Sequence, residues 1–107
     1  DSYLYSVFGF NQQAKLTFAS LNSEDEPRAI ALTEVQGITL PPPPQPQRLG
    51  LVVRVENLAE TITALSKLGL KIIQANKFTV EPNLIFTEQA FEDYDGHLII
   101  LYQVRTG

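Results

Sequence analysis

Residues 49–75 read LGLVVRVENLAETITALSKLGLKIIQA, and this stretch runs from strand to helix to strand. Residues 49–55 are rich in β-branched side chains, which are stiff at χ1 and suit a pleated surface, so they predict a strand. Asn57 then offers a side-chain oxygen to the orphan amides of a helix start, with Glu60 three residues later in a capping-box arrangement. Leu58, Ile62, Leu65 and Leu68 recur at helical spacing and make one apolar stripe. Gly69 suits the left-handed position just beyond a helix end. Residues 71–75 (KIIQA) open a second strand.

Further along, residues 83–88 (NLIFTE) predict a third strand and residues 97–104 a fourth, giving the order β-α-β-β-β. Working backwards, Pro41, Pro42, Pro43, Pro44, Gln45, Pro46 and Gln47 form a break. Successive prolines fix φ and remove amide donors, so this segment predicts an extended spacer of about 20 Å. It also has the form of a PxxP ligand for an aromatic groove. Before it, Ser2–Phe8 reads as the end of a helix closed by Gly9. Lys15–Leu21 and residues 29–35 alternate as strands around a polar loop at 22–27. That order repeats the latter part of the downstream unit, which suggests a diverged repeat. The expected organisation is a partial first unit over residues 1–40, a linker over 41–47 and a complete second unit over 48–107.

Composition sets outer limits. The 107 residues suffice for one domain of ordinary size, 44% of them apolar. Eight basic against twelve acidic side chains leave a net charge of −4, and the basic residues are scattered, which argues against a nucleic-acid partner. The acidic run Glu24, Asp25 and Glu26 reads as a solvated loop. With no cysteine there are no disulfides, thiolate metal sites or thiol nucleophiles, which fits a cytoplasmic setting. No apolar run is long enough to cross a bilayer. Met is absent throughout, position 1 included, so a processed chain or a fragment is expected.

Three segments together carry a family resemblance. LYSVFGF at residues 4–10 looks like a helix ending at an aromatic-glycine-aromatic corner. GLVVRVENLAETITALSKLGLKI at 50–72 looks like an opening strand and helix, and DYDGHLIILYQ at 93–103 like a closing turn and strand. In this order and spacing they resemble the vicinal oxygen chelate superfamily, which includes glyoxalase I, bleomycin-resistance proteins and extradiol dioxygenases. The resemblance implies an α+β fold: paired βαβββ units forming a curved mixed sheet with helices on the outer face, the first unit here incomplete. It also implies a divalent ion held in the cup of the sheet by a histidine on the opening strand and a glutamate on the closing strand. Those positions fall on Gly50 and Ile100, and the first unit's closing-strand position falls near Ala31. None of these side chains ligates a metal, so no cofactor is expected and no metal ligand is assigned.

Substitute ligands are scarce. The single histidine, His97, reads as a turn residue. Asp93 and Asp95 beside Gly96 suit the acceptor role of short carboxylates in turns, and the apolar residues after them exclude an EF-hand loop. An acid–base pair from Glu34, Glu56, Glu88 and Glu92 is conceivable, and nothing in the sequence selects it.

Alternation assigns the two faces of the strands. Gly50, Val52 and Arg54, with Leu98, Ile100 and Tyr102, should line the inner face. Leu51, Val53 and Val55, with Ile99 and Leu101, should lie under the helix stripe. Residues 98–102 are apolar on both faces, so both should be buried, one against the helix and the other against a ligand, a second unit or its own side chains. Arg54 in an apolar cup needs a partner: a ligand carboxylate or phosphate, Glu34 or Glu88, or water at the rim. The Tyr102 hydroxyl either meets a ligand or is satisfied in packing.

Three functional expectations follow. The first is a metal-free glyoxalase- or bleomycin-resistance-like protein binding a small apolar or aromatic molecule in the cup. The second is a metal-dependent lyase or oxygenase completed by residues elsewhere, the one case in which a divalent metal is expected. The third is a structural or interaction domain whose cup is filled by its own side chains. Because half a unit leaves open sheet edges and too small a core, its strands should pair with the second unit, a further segment or another chain, and a homodimer is expected.

Overall fold

In the computed structural model, which describes residues 2–107, the chain runs α1 (Ser2–Phe8), β1 (Lys15–Leu21), β2 (Ile30–Gln36), β3 (Gly50–Arg54), α2 (Leu58–Lys67), β4 (Lys71–Ile72), β5 (Asn76–Val80), β6 (Leu84–Glu92) and β7 (Leu98–Thr106). This is an α+β fold dominated by strands, in two sheets. It divides into two compact units, Asp1–Pro41 and Pro42–Gly107.

The second unit is built on a five-stranded sheet in the order β3-β7-β6-β4, with β5 also paired to β6. β3 runs parallel to β7, and the other pairs are antiparallel. The parallel pair requires a crossover, because a tight turn cannot return a chain in its own direction. α2 is the first element after β3, and it packs on one face of the sheet. Leu58, Phe91 and Leu101 form the buried centre there, flanked by Val53, Val55, Ile62, Leu65, Leu70, Ile72 and Ile99. The stripe and the outward-facing strand residues thus meet as their periodicities require. Leu68 and Leu51 are exceptions: Leu68 is the C-cap and is exposed, because the stripe drifts off the sheet where the helix ends, and Leu51, expected under the stripe, is 47% exposed on the edge strand β3.

The start of α2 is secured by two side chains distant from each other in sequence, and its end by backbone. The Asn57 side-chain oxygen accepts from the Glu60 amide at 3.0 Å. The Leu58 amide donates to Gln103 Oε1 on β7 at 2.8 Å, so a strand residue satisfies a second orphan donor of the helix. At the other end Gly69 adopts φ +76, and its amide donates to the Ser66 carbonyl. Asn57→Ala is expected to lower stability by about 1 kcal/mol, read as a lower urea midpoint at unchanged slope. An unchanged midpoint would show that Gln103 alone secures the helix start.

One strand departs from expectation. Residues 71–75 do not form a continuous strand; pairing covers Lys71–Ile72, lapses, and resumes at Asn76–Val80, a strand that the sequence reading left out. The register explains the gap. Ile72 pairs with Phe91 and Asn76 with Glu88, so the three residues 73–75 stand against the two residues 89–90. The extra residue makes a bulge, which resets the alternation so that Phe78 and Val80 turn to the face opposite α2. The Ile73 amide donates to Ala90 O, and Gln89 Nε2 donates to Ile73 O, which holds the bulge to β6. β6 is also longer than its expected span of 83–88, and β7 ends two residues later than expected.

In the segment from Pro42 to Gly50 the Gln47 side-chain amide donates to Gly96 O, tying this stretch to the turn before β7. The turn itself follows the expected chemistry in part. Asp93 Oδ1 accepts from the Asp95 and His97 amides, both at 2.9 Å, and Gly96 takes φ +87.

The first unit is a helical turn and a hairpin. Gly9 and Phe10 both donate to Tyr5 O, and the Tyr5 hydroxyl donates to Ala14 O, over a buried Ala14. β1 and β2 are antiparallel, from Lys15↔Gln36 to Leu21↔Ile30, and form a two-stranded sheet of their own. Ala31 is exposed on β2. The connecting loop is closed by the Arg28 amide on Asn22 Oδ1, and the Arg28 guanidinium lies 5.6 Å from the Phe18 ring centre. Phe18, Leu21 and Leu32 remain exposed, so the hairpin's alternation is regular while its burial is slight.

Candidate functional site

The sheet face opposite α2 brings the six inner-face residues together. Parallel pairing sets Gly50 beside Leu98, Val52 beside Ile100 and Arg54 beside Tyr102. Next in order across β6 come Glu92, Ala90 and Glu88, each opposite one of the β7 residues. Gly50 is tightly embraced: a Cβ there would lie 3.3 Å from Leu98 Cδ2 and 3.4 Å from Ile100 Cδ1. A larger residue at this position would have to displace both side chains.

Beyond Tyr102 the face is aromatic. Phe86 and Tyr102 lie with ring centres 6.2 Å apart and planes 24° from parallel. Phe78 stacks on Phe86 at 5.2 Å and 5°. Three rings from three strands therefore form one row. Phe78, Val80 and Phe86 were missed by the sequence reading. Phe78 and Val80 alternate within NKFTVEPN, a signal that the adjacent proline and asparagine mask.

This face is less buried than the one under α2. Leu98, Ile100 and Tyr102 are half-buried, whereas Leu101 on the helix side is 5% exposed. At the edge Val52 is 59% exposed, and Phe78 is 40% exposed. The physical reason is that α2 covers only one side of the sheet.

Arg54 is exposed and makes no ion pair among the described residues. Of the alternatives for Arg54, the pairing with Glu88 does not form: Glu88 Oε1 accepts from Asn76 Nδ2 at 3.0 Å instead, on the side away from β7. Glu92 is likewise engaged, by Lys71 Nζ at 2.9 Å. His97 is exposed beside the turn. Among the described residues no three His, Asp or Glu side chains gather closely enough to hold a metal ion. No helix among them is long and apolar enough to cross a membrane.

Chemically, such a surface offers apolar area, flat ring faces and, in Arg54, a cation without an ionic partner among the described residues. Flat apolar molecules gain by burying area against it, and ring-on-ring contact adds geometric preference. Compared with known proteins, the chain matches no family model, no curated sequence and no solved structure.

Proposed function

We propose that the chain is a metal-free binding protein of the vicinal oxygen chelate kind, holding a small apolar or aromatic molecule on the sheet face opposite α2. One observation carries this reading: a row of aromatic and aliphatic side chains left uncovered by α2, with Phe86, Tyr102 and Ile100 half-buried and Phe78 and Val52 exposed at its ends. Apolar surface of this kind is unfavourable in water by about 25 cal/mol for each Å², so an occupant that covers it is stabilising. The order of elements supports the family reading. β4 and β5 flank one bulge and both pair with β6, which supports counting them as one interrupted strand, as a βαβββ reading requires. Gly50 and Ile100 are neighbours, as the two ligand positions of such a cup must be, and both lack donor atoms.

Titration of the full chain with 2-naphthamide, a neutral flat aromatic, tests the reading by two-dimensional amide NMR. Shifts confined to Val52, Phe78, Phe86, Ile100 and Tyr102 are expected. Val52→Asp places a charge at an exposed edge position where folding tolerates it, and should weaken binding about tenfold. Saturating addition of the compound without shifts on this face would overturn the proposal.

A further inference from the structure

We infer that the molecule bound on this face carries an anionic group, a carboxylate on an aromatic ring system, and that Arg54 reads it. The inference rests on the binding reading above and names the class of ligand. Arg54 and Tyr102 are direct neighbours in register on the same sheet face, so Arg54 follows Tyr102 at the β3 end of the row Phe78, Phe86 and Tyr102. A flat ring lying on that row directs a substituent along it toward β3. The guanidinium is planar and presents paired N–H donors that match a carboxylate, and it has no ionic partner of its own among the described residues. Glu88, which pairs with Tyr102 from the other side, is the group that would oppose an anion. Its carboxylate is drawn toward Asn76 on β5, away from the β3 side. The unpaired cation therefore stands at the β3 edge, while Glu88 is turned toward β5 and Glu92 is neutralised by Lys71.

Other occupants are less well matched. A cation would have to share the β3 end with Arg54. A wholly neutral hydrocarbon leaves the exposed Arg54 to water and gains nothing from it.

The test compares 2-naphthoate with 2-naphthamide, planar molecules of the same shape that differ in charge, on the full chain and on Arg54→Gln. Naphthoate should bind the unsubstituted chain about tenfold more tightly than the amide, the amount expected of a hydrogen bond to a charged group. The preference should shrink as salt is raised, because a half-exposed ion pair is screened. Arg54→Gln should bring the two probes level while leaving the amide's affinity within about twofold, since the ring row is untouched. The amide spectrum of the variant reports whether the fold is intact. Equal binding of the two probes to the unsubstituted chain, or a preference that survives Arg54→Gln, overturns the anion inference and leaves the aromatic reading standing. Binding of neither probe overturns both. In that case a sedimenting dimer dissociated by Val52→Asp would assign the face to a second copy of the chain.

Discussion

Leu101→Ala should destabilise the Pro42–Gly107 unit by about 3 kcal/mol, within the usual range for removing a buried leucine side chain. Leu101 is 5% exposed and lies with Leu58 and Phe91 at the centre of the contact between α2 and the sheet. The substitution removes three methyl(ene) carbons' worth of apolar contact and leaves a void that β7 cannot close, because it is paired on both sides, to β3 and to β6. Chemical denaturation followed by far-ultraviolet circular dichroism gives the measurement. The midpoint should fall with little change in slope. Leu49→Ala is the comparison: Leu49 is 84% exposed, and its truncation should change stability by less than about 0.5 kcal/mol. Similar effects from the two would mean that the centre of the unit lies elsewhere.

Gly37→Ala should be the most damaging change in the first unit, at about 2 kcal/mol or more from backbone strain and steric overlap together. Gly37 follows β2 with φ +88, and a Cβ there would sit 2.6 Å from the Gln13 carbonyl oxygen. That neighbour is backbone, two residues before β1, so it moves only if the hairpin's open end, at Lys15↔Gln36, moves with it. Gly9→Ala separates the two costs. Gly9 has φ +77 and nothing within 4 Å of the added atom, so only the dihedral term of about 1 kcal/mol applies. Hydrogen exchange of the Leu16, Phe18 and Val35 amides should accelerate much more in Gly37→Ala than in Gly9→Ala. Equal acceleration would mean that the close approach to Gln13 is relieved at no cost.

The elements that were legible in the sequence share a local cause. Asn57, Glu60 and Gly69 mark both ends of α2 because capping involves residues three or four apart. Asp93 and Gly96 announce the turn before β7 for the same reason. The six inner-face candidates were legible too, since alternation along a strand is a property of each strand alone. β5 was not legible, and with it two members of the candidate site, Phe78 and Val80. Their direction depends on a bulge, and a bulge is defined by how many residues the opposing strand supplies. The state of Arg54 was equally hidden: the sequence offered Glu88 as a partner, and the competing claim of Asn76 emerges only once β5 lies against β6.

By itself, then, the sequence determined which stretches are helix and strand around residues 49–72 and 93–104, and which side chains share a face, because backbone geometry repeats every two or 3.6 residues without reference to the rest of the chain. Tertiary structure decided which strands are neighbours, where the register slips, and how deeply each face is buried. Those depend on hydrogen bonds between residues far apart in sequence, such as the pairing of Arg54 with Tyr102, and on α2 covering one side of the sheet.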